Sequence, residues 1–285
     1  MSVSILFSCN SSPDEKVVDV VAKDFSFQVV DEIPSGWANF KFKNEGHAEH
    51  FFLLNLLPDS IDFRTYHNQV TKPFDIVFDS IKAGMSKGDA IALLLKLIPP
   101  WYFTSVKQMG GAGIINPGMS EIITLNLKPG TYVMECYIKE KGVFHTALGM
   151  IRPIKVTDEK SKIGPPNSNL DITLTNSKID TNGKISAGKN TIAVYFKEQP
   201  KVGLGNDVHI IKITDKTDMN KVIEWLDWMN IKGLESPAPV EFLGGCQEMP
   251  VGYTCYFQVD LEKGKYAFIA ESGADRGLIK QFQIE

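Results

Sequence analysis

Apolar and polar positions alternate along much of this chain in short runs. WANFKFKN, EIITLNL, TYVMECYI, NTIAVYFK, CYFQVDL and KYAFIA each show the period of two expected of strands with one buried face. Val, Ile, Phe, Tyr and Thr are frequent in these runs. Turn residues such as Pro34-Ser35-Gly36, Lys128-Pro129-Gly130 and Lys263-Gly264 separate them. Two stretches break the pattern. An insert from Asp59 to Trp101 contains PFDIVFDSIKAG and SKGDAIALLLKLIPPW, which read as helices, with Ser86 as an N-cap and Pro99 as a stop. A shorter helix is expected in DMNKVIEWLDWMN, within Asp218 to Pro239. The Leu-rich and Trp-containing faces of these helices read as packing surface. Many short strands with turn signals predict a mainly β protein of Greek-key sandwich type, interrupted by helical inserts.

The pattern occurs twice. Gly110-Gly111, Gly118 and Gly130-x-Tyr132 recur at identical spacing as Gly244-Gly245, Gly252 and Gly264-x-Tyr266. GMIRPIKV, from Gly149 to Val156, matches GLIKQFQI, from Gly277 to Ile284, and an upstream alignment places Gly36 on Gly188. Two copies of one module are expected. Residues 1–16 read as a leader remnant and tether, 17–156 as the first domain, 157–169 as a Pro- and Ser-containing linker, and 170–285 as the second domain.

Composition narrows the function classes. The 285 residues suffice for two ordinary domains, and 43% apolar with 22% charged content is that of a globular protein. A net charge of -4 without a dense Lys/Arg run gives no electrostatic case for nucleic acid. No stretch approaches the ~20 apolar residues of a membrane-spanning helix. The nucleophile elbow, P-loop, H-E-x-x-H and G-x-G-x-x-G signatures are missing from the sequence.

One loop carries a particular chemistry. Cys136, His145 and Met150 stand in GTYVMECYIKEKGVFHTALGM with the spacing Cys-x8-His-x4-Met. A thiolate, an imidazole and a thioether form a soft-ligand set suited to copper. His50, in NEGHAEHFFLL, is placed to supply a second imidazole. His47 competes for that role from the turn, but the strand-like FFLL follows His50. His67, in FRTYHNQV, falls in the insert and reads as surface. Alternation puts Tyr132, Met134 and Cys136 on one strand face, so Cys136 is expected to point inward.

Taken singly, each of these residues reads more simply as a buried core residue or a hydrogen-bonded His. Their joint spacing favours a metal site. The second copy is an internal control, because its alignment replaces Cys136, His145 and Met150 by Ala270, Gly273 and Leu278 and keeps only His209 as a counterpart for an imidazole. One ion, in the first domain only, is therefore expected. Cys246 and Cys255 are left as either a disulfide pair or two separate small apolar residues.

At the N-terminus, Leu6-Phe7-Ser8-Cys9 precedes the polar NSSPDEK. This resembles a bacterial lipobox in which Cys9 is lipidated, although the upstream region is short and lacks Lys and Arg. The alternative is a plain polar N-terminus with a chance Cys.

Together these residues resemble the cupredoxins. The Asn44-x-Gly46 turn leads to His50, the Pro129-Gly130-x-Tyr132 approach leads to Cys136, and His145 and Met150 follow at the family's typical x4 spacing. The resemblance implies two cupredoxin-like domains in tandem, the first with a type 1 (blue) copper site. It implies electron transfer or copper handling in the cell envelope or periplasm, with the membrane reached through an N-terminal lipid anchor. It also implies a redox partner protein that docks near an exposed His145, with Val143 and Phe144 as apolar neighbours. The alternative is a non-metal tandem sandwich that serves as a binding or scaffold module on the cell envelope, with the inserts as its partner surface. Multicopper oxidases and nitrite reductases need further His ligands, usually in His-x-His pairs. Five His and no such pair argue against an enzyme.

Overall fold

The computed structural model describes residues 17–201 and 203–285, so Cys9, the expected lipidation site, lies outside the described residues. The first half contributes β1 (Val18–Lys23), β2 (Ser26–Gln28), β3 (Glu32–Asn44), β4 (Leu53–Leu56), β5 (Lys107–Gln108), β6 (Ser120–Leu127), β7 (Gly130–Glu135), β8 (Lys139–Glu140), β9 (Val143–Phe144) and β10 (Ile151–Lys160). In one layer β1 runs antiparallel to β2 and parallel to β3, and β3 pairs antiparallel with β6 from Gly36↔Leu127 to Lys43↔Ser120. In the other, β7 lies between β10 and β4, and β4 pairs with β5. The first residues of β3 pair with β10, which joins the layers at one corner.

The second half contributes β11 (Leu170–Leu174), β12 (Ile179–Gly183), β13 (Gly188–Phe196), β14 (Val208–Ile213), β15 (Glu241–Cys246), β16 (Thr254–Leu261), β17 (Gly264–Ile269) and β18 (Ile279–Ile284). β11 pairs with β12 and β13, β13 with β16, and β15, β14, β17 and β18 form a second sheet in that order. The protein is therefore mainly β, with two sandwiches and a helical insert in each, as the alternating runs predict.

The first insert holds α1 (Phe63–Tyr66), a π-helical turn (His67–Thr71), α2 (Lys72–Lys82), α3 (Lys87–Leu97) and α4 (Pro100–Ser105). Ser86 caps α3 by accepting the Asp89 N–H at 3.2 Å, and the helix ends before Pro99. The second insert holds α5 (Met219–Leu226), capped by Asp218. None of the described helices is long and apolar enough to cross a membrane.

Two local expectations change. Alternation gives β7 one buried face, but every residue from Tyr132 to Cys136 is buried. The insert lies over the outer face, where Val133 packs with Leu57, Tyr66 and Val70. β10 also runs on to Lys160, into the segment predicted as linker, because Lys160 pairs with Ser35 of β3 and Ser161 N–H donates to the Ser35 carbonyl.

The halves share a sheet. β16 pairs antiparallel with β6 at Tyr256↔Thr124, Phe257↔Ile123 and Gln258↔Ile122. Ala112 bridges to Cys246, Gly113 N–H donates to Gly245 O at 3.2 Å, and Gln247 N–H donates to Gly111 O at 3.1 Å. A Cβ on Gly113 would lie 2.6 Å from Gly245 Cα, so this backbone approach requires glycine.

Candidate metal centre

Cys136 follows the last residue of β7, and Met150 precedes the first of β10. Their backbones are tied by the strand register, with Cys136 N–H donating to Met150 O at 3.2 Å. The chain between them folds back through the β8–β9 hairpin, and His145 N–H donates to Ile138 O at 2.7 Å. His50 enters from the segment before β4, locked by reciprocal backbone bonds with Ile115 at 3.2 and 2.9 Å. The Asn44-x-Gly46 turn sets its approach. Buried Asn44 accepts the Gly46 N–H at 2.9 Å and donates to Ala48 O at 2.8 Å, an Asx-type turn. A Cβ at Gly46 would lie 2.7 Å from His50 Nε2, so glycine leaves room for that ring.

Cys136 Sγ lies 3.6 Å from His145 Nδ1 and 3.9 Å from His50 Nδ1, and all three side chains are fully buried. One donor atom from each falls within 4.8 Å of the others. Metal–thiolate bonds of about 2.3 Å and metal–imidazole bonds of about 2.0 Å, spread at roughly 110–120°, put sulfur and nitrogen about 3.5–3.8 Å apart. The observed spacings match that range closely, so the three donors fit one ion with little movement. Met150 is fully buried and stands beside Cys136 through the backbone bond above. His47 is not in the cluster: its side chain is 65% exposed, and its Nδ1 pairs with Asp24 Oδ2 at 2.7 Å. His67 lies in the π-helical turn of the insert, half-buried.

Burial sets the charge states. It pushes the Cys136 thiol up to about 12 and, with His50 nearby, holds His145 down to about 2. His50 is also lowered by burial, which outweighs the pull of Asp24. Both imidazoles are thus neutral and able to donate a lone pair. The thiol stays protonated until a cation offsets the charge of its thiolate.

Two residues at the tip of the β1–β2 hairpin complete the site, and sequence reasoning missed both. Asp24 Oδ1 lies 3.3 Å from His50 Nε2. That contact selects the tautomer with the proton on Nε2 and leaves Nδ1 free toward Cys136. Burial tends to raise the Asp24 carboxyl, but hydrogen bonds from His47 and His50 bring it below its ordinary value. The Phe25 ring packs 4.6 Å from the His145 ring. No sequence signal marks these two residues, which occupy a two-residue turn more than twenty positions from the nearest ligand.

The hairpin tip changes one expectation. His145 is buried rather than exposed, and its Nε2 has no hydrogen-bond partner among the described residues. Phe144 also turns inward, with its ring 5.1 Å from that of Phe78. Lys139 clamps the same hairpin by donating to Trp228 O and Asn230 O at 3.1 and 2.9 Å. The exposed apolar residues nearby are Val143 and Leu148.

In the second half, Asp207, His209 and Glu271 also converge within 4.8 Å. There His209 Nδ1 accepts the Ile114 N–H at 3.2 Å, which leaves the proton on Nε2, 3.1 Å from Asp207 Oδ2. Both nitrogens are occupied, so this imidazole offers no lone pair. Cys246 and Cys255 are bonded, S–S 2.15 Å, and tie β15 to β16. Cys136 is the free cysteine among the described residues.

The mainly β, sandwich-type fold agrees with the one that the resemblance to the cupredoxins implies. The last two long strands of the first sandwich carry Cys136 and Met150 at one end, with His145 on the loop between them. No protein-family model matches the chain, and no curated protein sequence matches it. Similar solved structures include reduced auracyanin from the photosynthetic bacterium Roseiflexus castenholzii, at 21% identity and TM-score 0.29, covering 49% of this chain and 94% of that one. Auracyanin A, a blue copper protein from Chloroflexus aurantiacus, aligns at 14% identity and TM-score 0.30, over 50% of this chain and 98% of that one. A multicopper oxidase aligns at 14% identity and TM-score 0.25, over 94% of this chain and 87% of that one. These are distant likenesses, and the candidate ligands are identified from the atoms of this chain.

Proposed function

We propose that this chain is an extracytoplasmic copper-binding protein with one type 1 copper site in residues 17–156, serving electron transfer or copper handling. The convergence of Cys136 Sγ with His50 Nδ1 and His145 Nδ1, at 3.9 and 3.6 Å, carries the reading. These three atoms would hold the ion, with the Met150 thioether as a further candidate ligand. Copper in such a set provides a one-electron couple whose two states tolerate the same ligand geometry. The surrounding residues keep the ligands in place: Asp24 orients His50, the β8–β9 hairpin fixes His145, and full burial excludes water.

Residues 170–285 are read as a second copy without copper ligands. The matching strand pairings of the two halves and the fully hydrogen-bonded His209 support that reading. Lipidation at Cys9 would hold the protein at a membrane, and a redox protein would be its partner. The test is to add Cu(II) to the purified protein and to a Cys136→Ser variant. Intense thiolate-to-copper visible absorption in the first and none in the second is expected. A colourless wild-type protein that binds no copper would refute the proposal and favour a metal-free scaffold role.

A further inference from the structure

A cavity of about 60 Å³ lies between the outer side of β7, the first insert and the second half, and none of its lining residues is a candidate copper ligand. Tyr66, Phe74 and Tyr102 from the first insert and Trp228 from the second form aromatic walls. Glu135 and Glu248 line the same space and are 8% and 7% exposed. Tyr66 OH and Asn55 Nδ2 donate to Glu135 Oε1 at 3.0 and 2.8 Å. Among the described residues, no Lys, Arg or His side chain offsets either carboxylate. Thr71 also lines the cavity; it is 4% exposed, and its hydroxyl has no hydrogen-bond partner.

Two buried carboxyl groups face one space without a cation, so burial keeps a proton on Glu248, and a positive ligand in that space would take the proton's place and leave a paired carboxylate. Aromatic faces present negative potential and select cations that shed water easily, which favours an alkylammonium over a metal ion. On this measure of volume a single water needs about 10–15 Å³, so the cavity has room for a ligand of several heavy atoms. Phe74, Tyr102 and Trp228 are only half-buried, which places their outer edges at the surface.

We infer that this cavity binds a small alkylammonium ion, with Glu135 and Glu248 as its counter-charges and Tyr66, Tyr102 and Trp228 as its ring walls. The inference is independent of copper at Cys136.

The test uses the full chain with methylammonium and tetramethylammonium chloride. Sodium chloride at matched ionic strength and tert-butanol serve as the charged and the neutral control. Titration calorimetry should give saturable binding of at least one ammonium ion, and the midpoint of thermal unfolding should rise with its concentration. Neither control should do so. Glu248→Gln keeps the shape of the site and should weaken binding roughly tenfold or more. Tyr102→Leu keeps an apolar wall without a ring face and should weaken it several-fold. Failure of both cations to bind overturns the inference. Equal binding of tert-butanol, or unchanged affinity in folded Glu248→Gln, overturns it as well.

Discussion

Asp24→Ala is the most informative change near the candidate metal cluster, because it leaves every candidate ligand in place and removes only a hydrogen-bond partner of one of them. Asp24 Oδ1 faces His50 Nε2 at 3.3 Å, and no other hydrogen-bond acceptor reaches that nitrogen among the described residues. Without the carboxylate, the imidazole either keeps an unpaired buried N–H or moves its proton to Nδ1, the atom needed by the metal. Outer-shell partners of ligating His typically account for 10–100-fold in metal affinity, or about 1.4–2.8 kcal/mol. The contact is long and the Asp24 side chain is 26% exposed, so we expect the lower end, about tenfold.

The assay is competition for Cu(I) against a coloured chelator, with wild type, Asp24→Ala, Asp24→Asn and His47→Ala in parallel. Asn keeps an acceptor for Nε2–H and should recover most of the loss. The 65% exposed His47 bonds the other oxygen of Asp24, so His47→Ala should stay within about twofold. Wild-type affinity in Asp24→Ala refutes the tautomer argument, and so does a loss in His47→Ala as large as that in Asp24→Ala.

Three further outcomes concern stability. Burial, with the charges of Asp207 and Glu135, raises Glu248 from 4.5 to about 8, so the folded state holds a proton that the unfolded state releases. Stability should therefore fall as pH rises through that window, by roughly 2–5 kcal/mol, and Glu248→Gln should flatten the slope in urea melts between about pH 5 and about pH 9; an unchanged slope would count against a buried, protonated Glu248. Reducing the Cys246–Cys255 bond, whose ends are 9 positions apart, should lower stability by about 2.5 kcal/mol in guanidinium melts with and without reductant, and identical midpoints would show that the loop is held by other means. Gly113→Ala should lose about 3 kcal/mol or more because it meets the Gly245 backbone, whereas Gly164→Ala, with open space around it, should stay within about 0.5 kcal/mol; equal melting of the two variants would contradict the close approach.

Local pattern disclosed the candidate ligands and the strand-rich fold because both leave short-range marks. The Cys136–His145–Met150 spacing lies in one loop, and the alternation in WANFKFKN or CYFQVDL reflects one buried face per strand. The features that the pattern did not disclose depend on contacts between distant segments. Asp24 and Phe25 join the site only because the parallel pairing of β1 with β3 brings the β1–β2 tip beside His50 and His145. Glu135 reads as the solvent-facing partner of Cys136 in alternation, yet the insert covers it. His145 reads as exposed from the family resemblance, and the same hairpin tip buries it. Burial of a second strand face and closure of a site by a turn leave no periodic signal.

The join between the halves has a consequence for how chemistry is distributed in this chain. Tyr137 OH lies 3.5 Å from Glu271 Oε2, across a sequence offset of 134. The pairs Ile123↔Phe257 and Ala112↔Cys246 have that same offset, and the bond from Gly113 to Gly245 is mirrored by the one from Gln247 to Gly111. On the proposed reading of two copies of one module, like positions thus face each other across a local two-fold axis, as in an isologous homodimer interface. Tyr137 adjoins Cys136 and Glu271 adjoins Ala270, so the thiol and its alanine counterpart flank the axis. In a homodimer any substitution appears at both corners. In a single chain the symmetry of the backbone can persist while the side chains diverge, leaving one corner with a candidate ligand set and its mirror with the hydrogen-bonded His209–Asp207 pair.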